Sequence, residues 1–150
     1  MKKVLMVCLG NICRSPLAEG ILKSKVDAAL VFVDSAGTAA YHVGNLPDER
    51  SILVAKQNRI DITNQQARKF THKDFIDFDL IYAMDKSNYQ NIISLASSDD
   101  DVEKVKLILN EAQPGKNYSV PDPYYGGAAG FEDVYKMLNE ACNAIANKVL

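Results

Sequence analysis

Apolar positions along the chain follow two rhythms. Four short runs are almost continuously apolar: Lys3–Val7, Leu30–Asp34, Leu80–Met84 and Val105–Leu109. Runs of this length predict buried strands. Between them apolar residues recur three and four positions apart. In Pro16–Ala29 the residues Leu17, Ala18, Ile21, Leu22, Val26 and Ala29 form one helical face, with Ser15 placed as N-cap and Pro16 at the first helical position. A second helix is expected to open at Asn45–Pro47 and run to about Asn58. A last one covers Phe131–Val149, with Val134, Met137, Leu138, Ala141, Cys142, Ile145 and Val149 on one face. Gln66–Lys69 reads as a short strand, Thr71–Asp74 as a capping box with Asp in place of Glu, and Asp85 as the cap of the helix after the third strand. Ser35–Thr38 reads as a break after the second strand, and Ser97–Asp101 as a solvated acidic loop. Gln113–Gly130, with three prolines and four glycines, reads as a long irregular loop.

Strands alternating with helices predict an α/β sandwich around a mostly parallel sheet with right-handed crossovers. In such sheets ligands bind beyond the carboxyl ends of the strands. Cys8 stands at that end of the first strand and Asp85 at that of a later one. The length of 150 residues fits one domain over 1–150.

Composition narrows the function by exclusion. The net charge of −2, with no basic block, gives no footprint for nucleic acid or an anionic membrane. The apolar run Val4–Leu9 is too short for a signal segment and no stretch is long enough to span a bilayer, so a cytoplasmic protein is expected. Three cysteines, Cys8, Cys13 and Cys142, form no disulfide framework, and with the isolated His42 and His72 they match no zinc spacing.

The chemistry concentrates in Cys8-Leu9-Gly10-Asn11-Ile12-Cys13-Arg14-Ser15, which leaves a strand and enters a helix. Backbone N–H groups of such a turn, with the positive end of the helix behind them, bind anions. Arg14 adds a planar fork of donors for two phosphate oxygens. Gly10 permits close backbone approach, Asn11 tolerates a left-handed conformation, and the Ser15 hydroxyl can donate to Cys8. What stabilises a phosphate dianion also stabilises a thiolate, and sulfur is then an in-line nucleophile toward phosphorus. A buried strand cysteine beside a surface helix arginine is the plainer alternative. It leaves the placement of Gly10, Asn11, Ser15 and Pro16 without a reason.

The stretch Cys8–Pro16 resembles the signature of the low-molecular-weight protein tyrosine phosphatases. Asp34-Ser35-Ala36-Gly37-Thr38, Val43-Gly44, Pro47-Asp48, Met84-Asp85 and Asp122-Pro123-Tyr124-Tyr125 follow in that family's order. The resemblance implies a three-layer α/β sandwich with a four-stranded parallel sheet flanked by helices and a phosphate-binding loop after the first strand. It implies hydrolysis of protein phosphotyrosine and small aryl phosphates through a phosphocysteine at Cys8. Arg14 would bind the phosphate together with Leu9, Gly10, Asn11, Ile12, Cys13 and Ser15. Asp122 would be the general acid and then the base, although Asp-Pro read alone is an ordinary turn pair. Asn11 and Ser35 would support the loop. Asp85 would support it too or serve only as a helix cap. Ile12, Tyr41, Tyr124 and Tyr125 would wall the substrate slot, unless the tyrosines are loop packing. Cys13 is either a redox partner for Cys8 or a small buried residue. No cofactor is implied, because Arg14 and the amides supply the charge. The partners implied are tyrosine-phosphorylated proteins or peptides, with inorganic phosphate as product, and a monomer or weak self-association.

Three other functions share parts of this pattern. An arsenate reductase of this fold needs further cysteines in mid-chain, and none occurs between Cys13 and Cys142. A protein arginine phosphatase shares the loop, but that branch tends to carry Thr where this chain has Ile12. A non-catalytic phosphate-binding module would be marked by loss of Cys8 or Asp122, and both are present.

Overall fold

The computed structural model of the chain describes residues 1–125 and 127–149, the side chains of 125 and 127–129 excepted. Four parallel strands form the sheet: β1 (Lys2–Cys8), β2 (Val31–Gly37), β3 (Leu80–Ala83) and β4 (Val105–Leu107), in the order β2-β1-β3-β4. α1 (Arg14–Lys23), α2 (Glu49–Gln57) and α6 (Gly127–Val149) cover one face. α3 (Lys73–Asp77), α4 (Lys86–Ile93) and α5 (Asp99–Glu103) belong to the other side. The expected three-layer α/β fold with a four-stranded parallel sheet is present.

Strand β1 explains why its sequence is continuously apolar rather than alternating. Val4, Met6 and Cys8 point into the core shared with α1 and α6, through Leu17, Ile21, Leu138 and Ala141. Leu5 and Val7 point into the opposite core, with Phe70, Phe75, Ile81 and Ile92. Both faces of the strand are covered, so neither can be polar. Each large side chain buried in this way contributes about 1.5–3 kcal/mol. The chain leaves β1 through α1 toward β2, then returns past β1 to β3 on its other side. The strand order therefore reverses at β1, and the crevice beyond Cys8 is the topological switch point.

Several element boundaries differ from expectation, each for a local reason. Helix α1 begins at Arg14, so Ser15 and Pro16 lie inside its first turn rather than at the cap and first position, and it ends at Lys23 rather than Ala29. The Ser24 hydroxyl donates to the Ile21 carbonyl and the Asp27 carboxylate accepts from the Ala29 N–H, and both bonds compete with further helix. Strand β2 does not break at Ser35 but runs through Gly37, which pairs with Cys8. The small residues there answer a packing demand: a Cβ on Gly37 would stand 2.7 Å from the Leu9 carbonyl oxygen. Helix α2 starts only at Glu49, because the Asp48 side chain accepts the Arg50 N–H and caps it.

Of the strand expected at Gln66–Lys69 only a single bridge, Gly37 to Lys69, forms. The expected capping box is half made: the Asp74 carboxylate accepts the Thr71 N–H, while α3 has no side-chain cap at its N-terminus. The acidic stretch is not loop but the start of α5, capped by Ser98 and with Asp99, Asp100 and Asp101 in its first turn, where the helix dipole favours negative charge. Strand β4 stops at Leu107 and passes into a 3₁₀ turn over Ile108–Asn110. Helix α6 begins at Gly127, inside the segment read as loop, after a 3₁₀ turn at Pro123–Tyr125.

Candidate active site

The loop from Cys8 to Arg14 is held from outside by its carbonyls. The Cys8 and Leu9 oxygens accept from the Thr38 and Ala39 N–H groups, both at 2.9 Å. The Ile12 oxygen accepts from the Asp48 N–H at 2.7 Å, and the Cys13 oxygen from the Ser51 hydroxyl at 3.2 Å. Asn11 supplies the reversal with φ of 57°, a conformation Asn adopts more readily than most residues. The N–H groups of residues 9–13 are bonded to no acceptor among the described residues, and no side chain caps α1. Free donors at a helix N-terminus are what an anion needs.

Side chains beneath the loop form a directed chain. Arg68 N–H donates to Asn11 Oδ1 at 3.0 Å, which fixes the amide's orientation. Asn11 Nδ2 then donates to Ser15 Oγ at 2.8 Å and to Ser35 Oγ at 3.0 Å, using both of its hydrogens. The Ser35 hydroxyl donates to Glu19 Oε1 at 2.6 Å. Ser15 Oγ, accepting from Asn11, keeps its own proton for Cys8 Sγ, 2.9 Å away; the other acceptor near it, the Ala36 carbonyl, is at 3.5 Å. The proton inventory thus aims a hydroxyl donor at sulfur. Cys8, Asn11, Ser15, Glu19 and Ser35 are all buried. Burial pushes the Glu19 carboxyl above its usual range, against the opposing bonds from Lys23 and Ser35.

Arg14 enters from the first turn of α1 and is almost wholly buried. Its Nη1 donates to Asp85 Oδ2 at 2.7 Å and to the Val120 carbonyl at 2.9 Å. Asp85 therefore does both things open to it: Oδ2 holds Arg14, while Oδ1 accepts the Asn88 N–H at 2.7 Å and caps α4. Val120 N–H donates to the Met84 carbonyl, tying the segment before Asp122 to the end of β3. Asp122 Oδ1 accepts the Tyr124 N–H at 3.0 Å, and Oδ2 lies 3.8 Å from Arg14 Nη2. A cleft of about 260 Å³ is lined by Cys8, Leu9, Gly10, Ile12, Cys13, Arg14, Tyr41, His42, Asp122 and Tyr124. A larger hollow of about 610 Å³ by β4 and α4 contains none of these residues.

The structure brings Cys8, Arg14, Asp122 and the loop residues Leu9, Gly10, Ile12 and Cys13 to one cleft, with Ile12, Tyr41 and Tyr124 on its walls, and leaves Asn11 and Ser15 in the buried chain beneath the loop. The Tyr125 side chain lies outside the described residues. Cys13 is buried, its thiol pushed up to about 12 by burial, with Asp48, Cys8 and Asp122 adding repulsion. Cys142 is core, as expected of its helix face. His42, which the sequence offers only as an isolated surface or capping residue, lines the cleft, its ring reaching to 2.9 Å from where a Gly10 Cβ would stand. Glu19 was also missed; Lys23 four residues on, now its ion-pair partner, was the one available signal. Among the described residues no group of three or more His, Cys, Asp or Glu side chains stands where it could hold a metal ion.

A parallel sheet with a cysteine–arginine anion loop at its switch point defines a phosphatase-type centre. Comparison with known proteins agrees. The family model described as low molecular weight phosphotyrosine protein phosphatase matches residues 3–150. The low molecular weight phosphotyrosine protein phosphatase of Schizosaccharomyces pombe is 47% identical over 141 residues, covering 91% of this chain and 89% of its own. The crystal structure of a protein tyrosine phosphatase from Entamoeba histolytica superposes with a TM-score of 0.92 at 36% identity, covering 99% of this chain and 96% of that one. A Drosophila arginine phosphatase superposes with a TM-score of 0.88 at 35% identity, covering 99% and 97%. The chain belongs to the low molecular weight phosphotyrosine protein phosphatase family, and it is an enzyme of the protein-tyrosine-phosphatase class. No helix among the described residues is long and apolar enough to cross a membrane.

Proposed function

We propose that the protein hydrolyses phosphotyrosine in proteins or peptides, and small aryl phosphates, through a phosphocysteine at Cys8. The observation that carries this reading is the Cys8 sulfur, 2.9 Å from a hydroxyl donor, in a cleft also lined by Arg14 and Asp122. The phosphate oxygens bind to the N–H groups of residues 9–13 and to the face of Arg14 turned from Asp85. The Cys8 thiolate attacks phosphorus; the S–P bond forms as the ester P–O bond breaks, and Asp122 gives its proton to the departing phenolic oxygen. Asp122, now a carboxylate, takes a proton from water as that water's oxygen bonds to phosphorus. The S–P bond breaks, returning the thiolate and releasing inorganic phosphate. Asn11, Ser15 and Ser35 hold the loop in shape, and Asp85 aims Arg14. Tyr41 and Tyr124 flank the substrate ring, with Ile12 on the same cleft.

Cys13 serves as the reserve thiol. Peroxide oxidises Cys8 to a sulfenic acid; Cys13 sulfur displaces hydroxide from it, which leaves as water, and a disulfide remains. The raised Cys13 pKa makes that step slow at neutral pH and faster as pH rises toward 12.

The likeness to a Drosophila arginine phosphatase keeps phosphoarginine as the second reading. Ile12 favours tyrosine, because an apolar side chain in the cleft fits an aromatic ring better than a guanidinium. The test is phosphate release from matched phosphotyrosine, phosphoarginine and phosphoserine peptides without added metal, for wild type and Cys8→Ser. Turnover of phosphotyrosine alone, lost in Cys8→Ser, is expected. Preference for phosphoarginine would overturn the substrate assignment, and turnover of none would overturn the enzymatic reading of the site.

A further inference from the structure

Arg50 lies outside both the phosphate loop and the acid's segment, yet it bonds toward each. It stands in the first turn of α2. Its Nε and Nη2 donate to the two Asp48 carboxylate oxygens, each at 3.0 Å. Its Nη1 donates to the Tyr124 carbonyl at 2.9 Å. The guanidinium also lies 5.3 Å from the Tyr124 ring centroid and 4.6 Å from that of the buried Phe131. Asp48 in turn donates its N–H to the Ile12 carbonyl of the phosphate loop at 2.7 Å. Tyr124 donates its N–H to Asp122 Oδ1 at 3.0 Å. An unbroken path of direct bonds therefore runs from the phosphate loop through Asp48, Arg50 and Tyr124 to the acid. Asp122 needs such a path. Its side chain is 43% exposed, it sits just before a single 3₁₀ turn, and Arg14 is 3.8 Å away.

We propose that Arg50 is a positioning residue that clamps the Tyr124 backbone to the phosphate loop and so sets where Asp122 delivers its proton. The proposal rests on the reading of Asp122 as the general acid. Five fixed donors let one guanidinium hold Asp48 with one edge, the Tyr124 carbonyl with another, and two aromatic rings with its faces. An ammonium cannot make this set of contacts. The benefit is geometric, since displacement of a reacting group by about 1 Å can cost about 10²-fold.

The test compares two aryl phosphates. Phenyl phosphate releases a phenol of pKa about 10 and needs the acid. A dinitrophenyl phosphate releases a far more acidic phenol and does not. In Arg50→Met, kcat/KM on phenyl phosphate is expected to fall about tenfold or more, with less than about a twofold change on the dinitrophenyl ester and on competitive inhibition by inorganic phosphate. Arg50→Lys restores little. Asp122→Asn, measured alongside, gives the full leaving-group dependence that loss of the acid produces. Should Arg50→Met not fold, Asp48→Asn keeps the helix cap while loosening its hold on Arg50, and is expected to show the same selectivity to a smaller degree. Equal losses on both esters, or no loss on either, would overturn the clamp. Equal losses in Asp122→Asn would instead remove the acid assignment on which the clamp depends.

Discussion

Ser35→Ala is a single-atom test of the buried chain beneath the loop. Ser35 Oγ accepts from Asn11 and donates to Glu19, and all three residues are at most 4% exposed. Removing that oxygen leaves one Asn11 N–H and one Glu19 oxygen without a partner, in a place water does not reach. Each buried unsatisfied group costs about 1–3 kcal/mol, and a charged one more. The expected loss is about 2–6 kcal/mol, a large share of the roughly 5–15 kcal/mol that holds a domain together. Asn11 keeps its bonds to Ser15 and to Arg68 N–H, so the loop survives but its amide is less firmly held.

Urea unfolding of wild type, Ser35→Ala, Glu19→Leu and the double variant measures this directly. Because both partners of the Ser35–Glu19 bond are then gone, the double variant should cost less than the sum of the singles, by about 0.5–3 kcal/mol. The kcat/KM of Ser35→Ala should fall roughly tenfold at a temperature where it remains folded, as expected of a misaligned anion site. A loss below about 0.5 kcal/mol with additive singles would mean that the chain carries no energy, and the reasoning would fail.

Three further outcomes follow from the same geometry. Gly37→Ala places a methyl group 2.7 Å from the Leu9 carbonyl and 3.1 Å from the Asn11 nitrogen, so phosphate inhibition should weaken at least tenfold while circular dichroism stays native. Asp85→Asn keeps a cap for α4 but loses the charge that holds Arg14; calorimetry should show a modest loss of Tm, and steady-state kinetics about a 10²-fold lower kcat/KM. The buried Cys142 thiol is pushed from 9.0 up to about 12 by desolvation. Between these values the unfolded chain releases a proton that the folded chain keeps, so stability falls as pH rises, by about 1.4 kcal/mol per unit from this group. Urea midpoints between pH 8 and pH 11 should therefore decline less steeply in Cys142→Ala than in wild type.

Much of this site was legible because its requirements are local. A strand end, a glycine, a left-handed asparagine, an arginine and a proline at a helix start are consecutive in sequence and remain consecutive in space. Strand and helix order was legible for the same reason: the burial of β1 on both faces writes itself as an apolar run. Boundaries were not, because they depend on distant partners. Gly37 looks like a turn residue in sequence, and only the loop packed against it reveals a strand. Ser98 and the three acids after it hold a capping signal that the density of charge concealed. Nothing in the sequence singled out Glu19 or Arg68, yet one closes the buried chain and the other fixes Asn11 through its backbone. The Arg50 clamp joins residues 74 positions apart and left no mark on local pattern.

The most direct test of the central claim is rapid acid quench of the enzyme during turnover of an aryl phosphate, followed by mass mapping of the phosphorylated peptide. The account predicts one phosphate, on the peptide carrying Cys8, absent in Cys8→Ser and more abundant in Asp122→Asn, where hydrolysis of the intermediate is slowed. Phosphate on another residue, or turnover with no covalent phosphoenzyme at any quench time, would contradict it.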